Sequence, residues 1–248
     1  MDPSSTVESE TQKRVLALLA RGQADQDAFA AGLSRDERAA RGELHDWSAK
    51  DQVAHNNFWR QDAIWRLQAA LEGGSPPDTD DDLAWNDRVF LEQRDTPWEQ
   101  LVAEMGRLRA ETAALIRQFS PDVLSQKDRY PWQRGGSFET LIFINWYDHP
   151  AEHWADFYLR RHEIDRALEL RRAVATTVRE LFADNPRLYS YMLYKLGGYC
   201  ARNNRSEEAM SAIREALTVN PSLSERLMQD TDFDSLRALP AFQVLYEH

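Results

Sequence analysis

One cysteine, Cys200, stands in a chain of 248 residues, which excludes an internal disulfide framework and any cysteine-rich zinc module. Glycine and proline are scarce, ten of each. They gather at a few joints: Gly73-Gly74-Ser75-Pro76-Pro77, Ser120-Pro121, Pro131, Gly135-Gly136, Asn185-Pro186 and Asn220-Pro221. Alternating runs of β-branched residues are missing, which argues against strands. No stretch approaches the roughly 18 apolar residues of a membrane span; the longest candidate is 141–146. Basic charge is short as well, 30 Lys+Arg against 41 Asp+Glu, for a net charge of −11. With no cationic surplus to displace counterions, neither broad nucleic-acid binding nor attachment to anionic membranes is expected. The opening segment, Met1 to Arg14, is polar and acidic, unlike a secretion signal. The expected location is the cytoplasm.

What is present is helical. Between the joints the apolar residues recur at spacings of three and four, the period of one helix face. The spacing predicts helices over 10–31, 49–71 and 138–160, with Ser48 and Ser137 as N-caps, and a helical region over 82–118. Within 82–118, Thr96-Pro97-Trp98-Glu99 reads as a start signal with Thr96 as the cap. A loop is expected over 120–136. The fold class is all-α, and four long helices so joined predict an antiparallel bundle. All eight Trp precede residue 155, and the boundary is placed near Arg161–Ile164, giving domains 1–163 and 164–248.

In the second domain, Leu196, Gly197, Cys200, Ala209, Ile213 and Ala216, closed by Pro221, resemble a tetratricopeptide repeat. Gly197 and Ala209 would allow close helix approach, and Asn203-Asn204 would make the turn. The final Asp230–Phe242 stretch is similar to the segment that closes many bacterial tetratricopeptide proteins, with Phe233, Leu236 and Phe242 as a cap. A homodimer or other partner contact is the role such a segment implies.

The histidines carry the chemistry. His149 and His153 stand four apart, so on a helix both project from one face, the spacing at which two imidazoles bind one metal. His55, on the helix over 49–71, is the candidate third donor. Three neutral imidazoles leave an open coordination position, the layout of a catalytic site. Glu152 is the candidate general base and Asp156 a candidate outer acceptor. Asn56, Trp59, Asn145 and Trp146 are candidate walls of a substrate pocket. Pro150 lies inside the His pair and removes one helical hydrogen bond. The run His149-Pro150-Ala151-Glu152-His153 also reads as the inverzincin His-x-x-Glu-His, but such proteases need a further Glu ligand and a larger scaffold.

Trp47-x-x-Lys50-Asp51-x-x-x-His55, followed downstream by His149-x-x-x-His153, resembles the DinB-like superfamily. The Trp85-Asn86-Asp87 stretch and the abundance of Trp are similar to its ClbS/DfsB group. The resemblance covers about residues 5–160. It implies a four-helix bundle whose three His hold a divalent metal, zinc or nickel, in some members for chemistry that uses a low-molecular-weight thiol. It further implies protection against a reactive small molecule, by hydrolysis or by transfer. A protein that sequesters a ligand in its Trp pocket without catalysis is the alternative expectation.

Overall fold

The computed structural model describes residues 8–79, 82–133 and 135–245. Among these the chain is all-α, with no strand. It divides into two compact units, Met1–His153 and Trp154–His248, so the division falls somewhat before the boundary expected near Arg161–Ile164.

In the first unit Ser9 opens α1 (Glu10–Ala31) with a capping box. Its hydroxyl accepts the Gln12 N–H, and the Gln12 side chain accepts the Ser9 N–H. A short α2 (Arg35–Ala39) is capped the same way by Ser34 and Glu37. The helix α3 (Ala49–Glu72) begins at Ser48 and ends at Gly73, whose φ of 70° is the left-handed conformation glycine adopts freely. Buried Asp51 completes this cap: its Oδ2 accepts the backbone N–H groups of Ser48 and Gly42, each at 2.9 Å. That pair of bonds ties the 42–48 segment, and with it Trp47, to the start of α3. Lys50, also buried, donates to the Arg94 carbonyl at 2.7 Å.

The helical region expected over 82–118 is two helices, α4 (Asp82–Gln93) and α5 (Trp98–Ile116). Thr96 is not the cap. Pro97 takes that position with no side-chain cap bond, and the Thr96 hydroxyl donates to Gln93 Oε1 at 2.8 Å. Pro97 is itself extended, with ψ 144°, and the Thr96 hydroxyl is taken up by the preceding helix, so α5 starts one residue later than the pattern implied. The 120–136 stretch is not wholly loop. It holds a helical turn, α6 (Pro121–Ser125), and a 3₁₀ turn at Pro131–Gln133. Ser137 caps α7 (Phe138–Phe143) as expected. The chain then widens into a π turn, Ile144–Asp148, and passes into α8 (His149–Arg160).

Val15 and Leu19 of α1, Ala63, Ile64 and Leu67 of α3, Met105 and Leu108 of α5, and Phe138, Ile142 and Trp146 form one buried cluster. Each large apolar side chain so buried contributes about 1.5–3 kcal/mol before entropic costs. The π turn is seated against α1 at Gly22. A Cβ on Gly22 would lie 1.9 Å from the Trp146 carbonyl oxygen, so only glycine lets the two backbones approach this closely.

The second unit continues with α9 (Ile164–Leu181), α10 (Pro186–Arg202) and α11 (Ser206–Val219), followed by α12 (Ser224–Leu227), a 3₁₀ segment at Thr231–Leu236 and α13 (Pro240–Gln243). The turn between α10 and α11 falls at Asn203-Asn204, where Asn204 has φ 60°. A Cβ on Gly197 would meet Ile213 Cγ1 at 2.8 Å, which is the close helix approach that its position implied. Phe233, Leu236 and Phe242 are fully buried, and Tyr194 meets Phe233 edge-on at 5.0 Å. Burial pushes the Cys200 thiol up to about 11, which leaves it an inert small core residue.

Two glycine substitutions separate these packing effects. Gly22→Ala is expected to destabilise the protein by about 1–3 kcal/mol through overpacking. Gly106→Ala, on the exposed side of α5 with nothing within 4 Å of its Cβ position, is expected to stabilise it by about 0.5–1 kcal/mol. Urea denaturation midpoints measure both, and an unchanged midpoint for Gly22→Ala would contradict the backbone contact.

Candidate metal centre

The three predicted histidines come together. His55 arrives from the second turn of α3, and His149 and His153 from one face of α8. His149 Nε2 lies 2.8 Å from His55 Nε2 and 3.1 Å from His153 Nε2. One nitrogen of each ring falls within 4.8 Å of the others. Pro150 does not separate the pair. It is the second residue of α8, near the start of a helical segment, where a missing N–H costs least. The π turn before it closes with the His149 N–H donating to the Ile144 carbonyl, five residues back.

The donor chemistry fits a cation. A neutral imidazole carries one N–H and one lone pair, so His149 Nε2 satisfies only one of its two close neighbours. A shared cation would accept all three lone pairs at once. Tetrahedral zinc–nitrogen bonds of about 2.0–2.1 Å would spread the nitrogens to roughly 3.3 Å, an opening of a few tenths of an ångström. His55 is 4% exposed. Burial first, then the His153 and His149 charges, push its pKa from 6.5 down to about 2. It is therefore neutral, the form a metal requires.

Aromatic rings frame the cluster. The Trp47 ring centroid lies 4.7 Å from that of His55 and 6.0 Å from that of His153. Half-buried Trp59 meets His55 edge-on at 6.3 Å, and its indole N–H donates to Asn86 Oδ1 at 3.2 Å. Asn86 also slightly favours a protonated His55, although His55 Nδ1 makes no hydrogen bond of ordinary geometry. Phe58 stacks on Trp85 at 5.1 Å and meets Trp59 edge-on at 5.2 Å.

The other predicted residues are placed as follows. Glu152 lies on α8 between His149 and His153, half-buried and outside the convergent group. The Asp156 carboxylate accepts the Tyr199 hydroxyl at 3.2 Å. Asn145 is buried; Asn56 and Trp146 are wholly so, Trp146 within the apolar cluster. Trp47, quoted for its motif, proves to lie against the histidine cluster. Arg60 was missed. Fully buried in α3, it donates to Gln26 Oε1 at 2.7 Å, stands 4.7 Å from the Trp146 ring centroid, and is pushed by burial to about 9. Its signal lay in the sequence, because Val53, Asn56, Arg60, Ala63 and Leu67 share the core-facing stripe of α3.

No family, no curated protein and no solved structure compared with this chain matches it.

The depressed His55 value fixes a pH dependence. The folded value lies below 6.5, so the unfolded chain takes up that proton first. The His55 contribution to the stability of the metal-free protein is full above about pH 6.5 and is lost as the pH drops toward the folded value. The slope is about 1.4 kcal/mol per pH unit for one proton. Denaturation at pH 8 and pH 5 is expected to show about 2 kcal/mol of loss that is absent in His55→Gln. An equal loss in both proteins would contradict it.

Proposed function

We propose that the first unit is a DinB-like metal-binding bundle, nearest in its motifs to the ClbS/DfsB group, with His55, His149 and His153 as ligands to zinc or nickel. In this reading the protein acts on a reactive small molecule, as a protective hydrolase or a thiol-dependent transferase. The convergence of three Nε2 atoms, with 2.8 and 3.1 Å between neighbours, is the observation that carries it.

When bound, the ion supplies Lewis acidity and lowers the pKa of a water or thiol. The chain's residues do the rest. Burial keeps His55 neutral. Trp47 and Trp59 flank the cluster and offer apolar faces to the body of a ligand, while Asn86 fixes the Trp59 ring. Glu152, between two ligands on α8, is the candidate for moving a proton. The α10–α11 pair and its buried Phe233–Phe242 closure are read as a tetratricopeptide-like unit serving a partner or a second copy. The aromatic set of Phe58, Trp59 and Trp85 favours a second reading, in which the unit sequesters its ligand without catalysis; protective activity retained in the triple His variant would support that version.

Elemental analysis of the purified full chain is expected to find about one equivalent of zinc or nickel. His55→Ala and the double substitution His149→Ala, His153→Ala are expected to lose it while keeping their helical circular dichroism. Metal content unchanged in these variants overturns the proposal.

A further inference from the structure

Among the described residues, Arg60 has no charged partner. Its Nη1 donates to Gln26 Oε1 at 2.7 Å and to Asn57 Oδ1 at 3.3 Å, and its guanidinium faces the Trp146 ring. These are two neutral amides and an indole. Nε and Nη2 make no hydrogen bond with any described residue, nor do Asn56 Nδ2, Asn56 Oδ1 or Trp146 Nε1. All three residues are 0% exposed.

Half-buried Arg66, nearly two turns further along α3, shows the usual treatment of a charge removed from water by pairing with buried Asp62. Its Nε donates to Asp62 Oδ2 at 2.7 Å, and Thr79 bridges the pair through bonds of 2.9 and 2.7 Å. A buried polar group left unpaired costs about 1–3 kcal/mol, and a charged one more. Unpaired donors on Arg60, Asn56 and Trp146 call for a hydrogen-bond acceptor.

Their arrangement says what. Nε and Nη2 form one edge of the guanidinium and present two parallel N–H groups, the match for the two oxygens of a carboxylate. The Asn56 amide and the Trp146 indole supply further donors. A flat carboxylate demands the least room of the common oxyanions in a close-packed interior. The locus adjoins the histidines along the chain: Asn56 follows His55 directly, and Trp146 lies one turn before His149. Cationic Arg60 and a bound divalent ion would together favour a negatively charged ligand.

We propose that Arg60, with Asn56 and Trp146, receives the carboxylate of a small-molecule substrate whose reactive part faces the three histidines. This rests on the reading of the His cluster as the reaction centre.

The test titrates acetate and propionate into the full-length protein, zinc-loaded and metal-free, against chloride and inorganic phosphate at matched ionic strength. Binding is followed by the assigned Arg60 Nε–H resonance and by thermal shift. The expected result is a saturable movement of that resonance with carboxylate in both forms. In Arg60→Lys, carboxylate affinity falls about tenfold to a hundredfold, as for a lost charge-assisted bidentate bond, with zinc content unchanged. The wild-type resonance decides the question even if Arg60→Lys fails to fold. No movement of the resonance overturns the proposal. So does a thermal shift that requires zinc and survives Arg60→Lys, since it puts the carboxylate on the metal, and so does phosphate binding as tightly as acetate. A carboxylate response in a protein that takes up no zinc upholds the Arg60 locus while the metal reading fails.

Discussion

The approach of α1 to the Trp146 carbonyl, possible only because residue 22 is glycine, is the contact on which the rest of the first unit depends. It lets the π turn 144–148 lie directly against a neighbouring helix. The turn then presents Trp146 to the core and delivers His149 and His153 toward α3. Pro150 belongs to the same device. A proline cannot donate to the carbonyl four residues earlier, which here is that of Trp146, the group packed on Gly22. The widened turn takes up this irregularity and leaves the His pair converging.

Much of this was legible in the residues, in proportion to how local each cause was. Ser48 with Asp51, and Ser137, marked helix starts because a cap is a short-range hydrogen bond. The His spacing marked the convergent trio because periodicity alone puts His149 and His153 on one face. Thr96 misled, because its hydroxyl bonds back to Gln93 and Pro97, still extended, takes the cap position. The π turn left no signature, since it answers to a backbone contact with Gly22 more than 120 residues away in sequence. Arg60 was overlooked for a different reason. Asn56 and Trp146 drew attention as pocket walls, whereas the cation one turn beyond Asn56, facing the Trp146 ring, sat in a stripe otherwise read as core.

The buried and half-buried charges of α3 fall into two kinds. Asp51 and Lys50 are spent on backbone groups, fixing the segment that carries Trp47 and the end of α4. Asp62 and Arg66 neutralise each other. These arrangements hold structure together, and their hydrogen bonds explain them. Arg60 alone among these residues of α3 has its charge answered by neutral groups. That difference marks a locus within a chain whose surplus is otherwise acidic, −11 overall.

The π turn also makes the centre a matter of counting. A π turn is an α-helix carrying one residue too many, and each residue of an α-helix turns the chain by about 100°. Removing any one residue between Ile144 and Asp148 would let the segment relax to ordinary α-helix. Trp146 and the histidines would then no longer share their present phase: either the indole leaves the core or both imidazoles swing away from His55. The geometry of the histidine cluster is thus encoded by segment length as much as by residue identity, so an alignment matching every histidine while closing that one-residue gap would describe a different site.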